Sequence, residues 1–222
     1  MINPIASPTD PRWSSALSAI LSAAEGATVV WDFDGVIADS EPVHAQSYRV
    51  LLMRRGFKAD DDFFAPLIGH TEREIWRMLH ESGAPVDTDV DALVAERRKA
   101  FLCLAAESLS PSWLAAELVP RIAQLGVSQH VVSNGDPVTI RTMLDRWGLG
   151  ETLLVPNVGD GRAPVTGKRE RLEAMLRAGP AILIEDNADY LALGRSAGGF
   201  CIAVYHGMSS EASLHGDVEV VI

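Results

Sequence analysis

Asp32-Phe33-Asp34-Gly35 sets two carboxylates two positions apart at the end of an apolar run, Thr28–Phe33. Carboxylates at such a place are costly unless something positive compensates them. Gly35 lets the backbone turn tightly, so that successive N–H groups can face an anion; Phe33 and Gly35 are therefore candidate phosphate contacts. Ser133-Asn134-Gly135 closes a second apolar run, Gln129–Ser133, and its hydroxyl and amide can donate to a phosphoryl oxygen. Asp136-Pro137 behind it is an N-cap and first-turn pair for a following helix. Lys168 opens another helix after Val165-Thr166-Gly167, where an ammonium can neutralise a phosphoryl group. Glu185-Asp186-Asn187 follows the run Ala181–Ile184, and adjacent carboxylates there can hold a hard divalent cation. Read singly, each of these is also explained by turn chemistry, helix capping or, for Lys168, a solvated surface lysine. The ordered set of acid pair, hydroxyl, ammonium and acid pair is not explained by turn chemistry alone.

The elements that must position these residues are legible as short apolar runs alternating with helical patterns. The runs are Thr28–Phe33, Gln129–Ser133, Ala181–Ile184, Cys201–Tyr205 and Val218–Ile222, with a weaker one at Thr152–Val155. Their hydrophobicity is continuous rather than alternating, which suits strands buried on both faces of a parallel sheet. Helices are expected at Trp113–Leu125, Pro137–Trp147, Lys168–Arg177 and Ala188–Ala197, and an amphipathic one after Pro11 with Leu17, Ile20 and Leu21 on one face. The alternation predicts a doubly wound, Rossmann-like α/β core. It is broken once. Between Pro42 and about Ser110 only helical patterns occur: Val43–Arg55, Glu72–Ser82 and Val90–Ala106. The expected organisation is a core of residues 1–41 and 111–222 with an all-helical domain of residues 42–110 inserted after the first strand. Turn-rich hinges lie at Asp39–Pro42 and Ser108–Pro111.

Composition narrows the function classes. Hydrophobic residues make up 47% and the formal net charge is −11. That acidity disfavours nucleic acid and anionic membranes as partners, and it obliges a phosphate site to carry local positive potential. No apolar run reaches the roughly 18 residues of a membrane span. Cys103 and Cys201 lie far apart in apolar surroundings and read as reduced thiols of a cytoplasmic protein.

The four motifs together resemble the haloacid dehalogenase superfamily. The resemblance rests on Asp32-Phe33-Asp34-Gly35-Val36-Ile37-Ala38-Asp39-Ser40-Glu41, on Val131 to Asn134, on Lys168, on Ile182 to Asp186, and on the small pair Ala197-Gly198. It spans about Thr28 to Gly207, and the helical insert resembles the cap of the subgroup containing phosphoglycolate phosphatases and β-phosphoglucomutases. The resemblance implies that Asp32 is the nucleophile, forming an aspartyl-phosphate, and that Asp34 is the general acid and base. It implies Mg2+ held by Asp32, the main-chain carbonyl of Asp34 and Asp186, with Glu185 nearby. It implies that Ser133, Asn134 and Lys168 grip the phosphoryl oxygens. The chain departs from the usual pattern at Asn187, which stands for a serine, at Tyr190, which stands where a glycine is common, and at Arg169, which follows Lys168 in place of a frequent proline. Asp189 is a candidate outer carboxylate of the metal shell.

In the insert, His44 is a candidate for bonding Asp34 or the substrate near the hinge. His70 and Arg73, in Gly69-His70-Thr71-Glu72-Arg73, are candidates for the substrate's non-phosphate part, although Thr71 and Glu74 also form a capping box for the next helix. The expected activity is a Mg2+-dependent phosphatase acting on a small soluble phosphate ester, as a monomer or weak homodimer. The alternatives are a phosphomutase acting on a sugar phosphate and an idle phospho-ligand-binding protein. A dehalogenase is disfavoured by the presence of Asp34. A phosphonate-cleaving enzyme is disfavoured because neither lysine of the insert, Lys58 or Lys99, sits in a recognisable motif.

Overall fold

The computed structural model of the chain describes residues 5–64, 67, 70, 72–87, 89–156, 167–205 and 220–222. The chain forms two compact units, residues 1–39 with 111–222, and residues 40–110. The first boundary falls between Asp39 and Ser40, two residues before the expected one.

The first unit begins with α1 (Trp13–Ala24), which buries Trp13, Ile20 and Ala24. These positions follow the helical period and form one apolar stripe, with Leu17 and Leu21 half-buried beside it. β1 (Thr28–Trp31) follows after Gly26, whose φ of 76° lets the chain reverse after the helix.

Residues 40–110 hold α2 (Glu41–Arg54), α3 (Asp61–Phe64), α4 (Glu72–Glu81) and α5 (Val90–Ser108). The short α3 has no counterpart in the sequence-based expectation, since four residues carry too little periodicity to be seen. Tyr48, Leu51, Leu52, Phe64, Trp76 and Leu79 are buried together as the apolar centre of this unit. Thr71, whose expected cap precedes α4, lies outside the described residues.

The chain then returns to the first unit through α6 (Trp113–Gln124), β2 (Gln129–Val131), α7 (Pro137–Arg146), β3 (Leu153–Leu154), α8 (Lys168–Ala178), β4 (Ala181–Glu185), α9 (Ala188–Ser196), β5 (Phe200–Ala203) and β6 (Val220–Val221). The helix starts are chemically determined. Ser112 accepts from the Ala115 amide, Asp136 from Thr139, and Asn187 from Asp189 and Tyr190. Among the described residues, six strands pair in the order β3-β2-β1-β4-β5-β6, every pair parallel. Val29, Val30, Trp31, Ile182, Leu183 and Ile184 are completely buried, as continuous apolar runs in a sheet covered on both faces require. Gln129 is buried among them, accepting from Trp31 Nε1 at 3.1 Å and donating to the Val119 carbonyl at 2.9 Å. The strand ladders are shorter than the apolar runs: β1 stops at Trp31 and β2 at Val131, so Asp32 to Gly35 and Ser133 to Gly135 are connecting backbone. Residues 218–219, expected in the last strand, lie outside the described residues. No helix among the described residues is long and apolar enough to cross a membrane.

Candidate active site

The strand order decides where the site forms. From β1 the chain places β2 and β3 on one side, and then β4, β5 and β6 on the other. Connections leaving β1 and β4 therefore diverge, opening a crevice at the carboxyl edge of these central strands. The register pairs Trp31 with Val131 on one side and with Ile184 on the other. Asp32 is thereby level with Glu185, and Ser133 lies one step beyond Val132. The Asp32 amide still donates to the Ile184 carbonyl at 2.9 Å, which anchors this residue in the sheet although the ladder ends before it.

Lys168 reaches the same edge from the first turn of α8. Its Nζ lies 2.7 Å from Asp32 Oδ2 and 2.8 Å from Glu185 Oε2. All three side chains are buried, Glu185 completely. Asp186 follows directly. Among the described residues, Asp32, Glu185 and Asp186 form a group whose carboxylate oxygens lie within 4.8 Å of one another. Three carboxylates thus face one ammonium in a largely dry place.

The proton affinities follow from that imbalance. Burial and the Asp32 charge push Glu185 well above the usual carboxylate range, against the pull of Lys168. Burial and Asp32 likewise push Asp186 up to about 6. Burial works against the Lys168 ammonium, but Asp32 and Glu185 outweigh it and hold the group above its ordinary value. Oxygen-only donors with surplus negative charge are the donor set of a hard divalent cation, so these residues fit a metal of the Mg2+ type.

Asp34 and Ser133 meet across the β1–β2 side of the crevice. The Ser133 hydroxyl donates to Asp34 Oδ2 at 3.2 Å and accepts from the Gly135 amide at 2.9 Å. A Cβ at Gly135 would lie 3.2 Å from Ser133 Oγ and 3.4 Å from Asp34 Oδ2. Such a Cβ would be tight against Ser133 Oγ and against Ile140 Cδ1, also at 3.2 Å, and in ordinary contact with Asp34. Asn134 is exposed beside them. The amides expected to face an anion are satisfied within the turn: Phe33 donates to Asp32 Oδ1 at 2.7 Å and Gly35 to the Ala38 carbonyl at 2.8 Å. The turn itself depends on Gly35, whose φ is 79°.

Asp32, Asp34, Ser133, Lys168, Glu185 and Asp186 are thus brought to one sheet edge. Asp189 is not in the carboxylate group: it sits exposed in the first turn of α9, on the helix that Asn187 caps. Two neighbours had no chemical signature in the sequence. Arg171 donates from a terminal guanidinium nitrogen to the Ser133 carbonyl at 2.6 Å. Its position three residues after Lys168, on one face of α8, is the signal that finds it. Tyr190, which reads from the sequence as a departure, places its ring centroid 4.4 Å from Lys168 Nζ.

The candidates in residues 40–110 have partners within their own unit. His44 stacks on Phe101 at 4.4 Å, and Arg97 approaches its Nδ1 at 2.9 Å. A guanidinium only donates, so Nδ1 accepts, and the ring proton of neutral His44 is on Nε2. Arg97 is itself buried, paired with Glu72 and lying over the Tyr48 ring at 4.9 Å. His70 is exposed, 3.9 Å from Glu74, and Arg73 pairs with Asp91 at the surface.

The sequence pattern of the haloacid dehalogenase-like hydrolase family matches residues 29–160, more than half of the chain. No curated protein sequence matches it. Among solved structures, CbbY from Rhodobacter sphaeroides in complex with phosphate is 18% identical over 88% of this chain and 92% of its own, with a TM-score of 0.71. A family IA, variant 3 hydrolase of the same superfamily from Entamoeba histolytica is 17% identical over 88% and 92%, with a TM-score of 0.65. A β-phosphoglucomutase from Clostridium difficile is 17% identical over 88% and 89%, with a TM-score of 0.60. At these identities the structures share the fold.

Proposed function

This chain belongs to the haloacid dehalogenase-like hydrolase family, and from that premise we propose that it is a Mg2+-dependent phosphatase of a small, soluble phosphate ester. The observation that carries the reading is the buried contact of Lys168 with Asp32 and Glu185 at 2.7 and 2.8 Å, beside Asp186 at the carboxyl edge of the sheet. A carboxylate attacking a phosphate dianion meets strong repulsion; Lys168 sets one positive charge beside Asp32, and the surplus negative charge of Asp32, Glu185 and Asp186 is what a bound Mg2+ would offset.

In the proposed reaction an Asp32 carboxylate oxygen attacks phosphorus in line with the leaving oxygen. The phosphorus–oxygen bond to the alcohol breaks, and the Asp34 carboxyl gives its proton to that oxygen. Asp34, now ionised, takes a proton from a water that attacks the aspartyl-phosphate, releasing phosphate and restoring Asp32. Lys168 binds the phosphoryl oxygens together with Ser133 and Asn134, and the turn amides of Phe33 and Gly35 exchange their internal partners for the same oxygens. Asp32, Asp186 and the Asp34 carbonyl would hold Mg2+, with Glu185 beside them. When bound, the ion supplies charge neutralisation for the attacking carboxylate and the transferring phosphoryl group.

The resemblance of the helical unit of residues 40–110 to the family's cap is what makes it the proposed selectivity element, with His44 and His70 as its candidate residues. A capped site favours a small ester over a phosphoprotein. A net charge of −11 disfavours nucleic acid, and the setting is cytoplasmic. The test is a panel of sugar phosphates, phosphoglycolate and related esters, assayed for phosphate release with and without Mg2+, in wild type and Asp32→Asn. Mg2+-dependent release that vanishes in Asp32→Asn supports the reading. Isomerisation of a sugar phosphate without release makes the protein a mutase, and inactivity of the Mg2+-loaded wild type on the whole panel rejects catalysis.

A further inference from the structure

Lys168 carries its charge at the end of four rotatable bonds, yet the site needs that charge at one place. An ammonium presents three N–H donors. Two directions are taken by Asp32 Oδ2 and Glu185 Oε2. On a further side lies the ring of Tyr190, with its centroid 4.4 Å from Nζ. Tyr190 comes from the first turn of α9, whose start Asn187 fixes by accepting from the Asp189 and Tyr190 amides. The half-buried Tyr190 packs against the buried apolar cluster that includes Leu172, Leu183, Leu191 and Cys201. It is thereby supported by contacts other than that with Lys168. Arg171, three residues after Lys168 on the same helix, holds the Ser133 carbonyl at 2.6 Å.

We infer that Tyr190 is a positioning residue of this chain's phosphoryl site, its ring face fixing the Lys168 ammonium beside Asp32 and shielding it from water. The inference rests on the phosphatase reading for its kinetic consequence but not for the contact itself. A glycine at this position would leave that side of the ammonium open. Here an aromatic face fills it and adds a cation–π attraction that is strongest when water is excluded. The long side chain then loses less freedom when a phosphoryl group arrives, because its conformation is already selected.

The test separates the aromatic face from mere bulk. Tyr190→Phe keeps the face, Tyr190→Leu keeps apolar packing without it, and a series of increasingly fluorinated phenylalanines at 190 weakens the face at nearly constant shape. Tyr190→Phe is expected within about threefold of wild type in kcat/KM, and Tyr190→Leu roughly tenfold or more below it, chiefly in kcat. The fluorinated series is expected to decline stepwise. A second readout is independent of turnover. The chain has three lysines, Lys58, Lys99 and Lys168, so NMR of labelled lysine side chains resolves each. The Lys168 ε-methylene is expected upfield in wild type and Tyr190→Phe, from the ring current, and at its ordinary position in Tyr190→Leu. An unshifted Lys168 in wild type overturns the contact. A folded Tyr190→Leu with wild-type kcat/KM, or a flat fluorinated series, overturns the positioning role. If the wild type hydrolyses no ester, the phosphatase reading falls by itself. Affinity for inorganic phosphate across the same variants then replaces kcat/KM, with equal affinity in Tyr190→Leu and wild type overturning the role.

Discussion

Removing a carboxylate from the site should make the metal-free protein more stable, and Asp186→Asn is the substitution that shows it. Asp186 titrates ordinarily at 3.8, and in the folded chain burial and the Asp32 charge raise it to about 6. Its folded-state value lies above its unfolded one, so between these two pH values the folded protein holds more protons. The stability associated with this group is therefore fully present below about pH 4 and is lost as pH rises through about 6. The gap corresponds to about 3 kcal/mol at neutral pH, an upper figure because the group is not fully buried. Urea denaturation in the presence of a chelator, from pH 4 to 8, measures it. Asp186→Asn should exceed wild type by up to about 3 kcal/mol at pH 8, and the difference should close towards pH 4. Adding Mg2+ should reverse the order at pH 8, because the ion binds the ionised cluster of the folded wild type. Its stabilising effect should be smaller at pH 5 than at pH 8. A metal-free Asp186→Asn protein less stable than wild type at pH 8, or a difference independent of pH, would refute the reasoning.

Lys168→Met leaves Asp32 and Glu185 without their ammonium, at positions 7% and 0% exposed; a loss of about 3–5 kcal/mol is expected by chemical denaturation, less where Glu185 takes up a proton, together with loss of measurable phosphate release. Gly135→Ala brings a Cβ to 3.2 Å from Ser133 Oγ and 3.4 Å from Asp34 Oδ2; kcat should drop roughly tenfold, with the melting temperature nearly unchanged, and an unaltered kcat would refute the need for a close fit of Gly135 against Ser133. Gly194→Ala on α9 puts a Cβ 2.8 Å from Leu183 Cδ2 and 2.9 Å from Cys201 Sγ, both completely buried. Overpacking of about 1–3 kcal/mol should outweigh the gain of up to about 1 kcal/mol in helix propensity, and thermal denaturation reads the sign.

Much of the core was legible in the residue order because the sheet is buried on both faces. The run Ala181–Ile184 is apolar without interruption, and only a doubly covered strand needs that. Asp136-Pro137 announced the start of α7 through cap chemistry that acts over three residues. Helix α3 was invisible because four residues hold barely one turn of periodicity. Arg97 was invisible for a different reason. A buried arginine in α5 looks like any surface arginine until Glu72, His44 and the Tyr48 ring surround it.

The amino-acid order alone determined which chemical groups stand at strand ends, because hydrophobic period and turn residues are local properties of neighbouring positions. It did not determine which groups meet. Lys168 and Asp32 are far apart along the chain and 2.7 Å apart in space, a distance set by parallel register, by strand order and by the docking of α8. Tyr190 shows the same limit from the other side. As a letter it breaks a pattern, and as a side chain it lies over the Lys168 ammonium. Contacts of this kind depend on how whole elements pack, and packing is a property of the folded chain that no window of neighbouring residues contains.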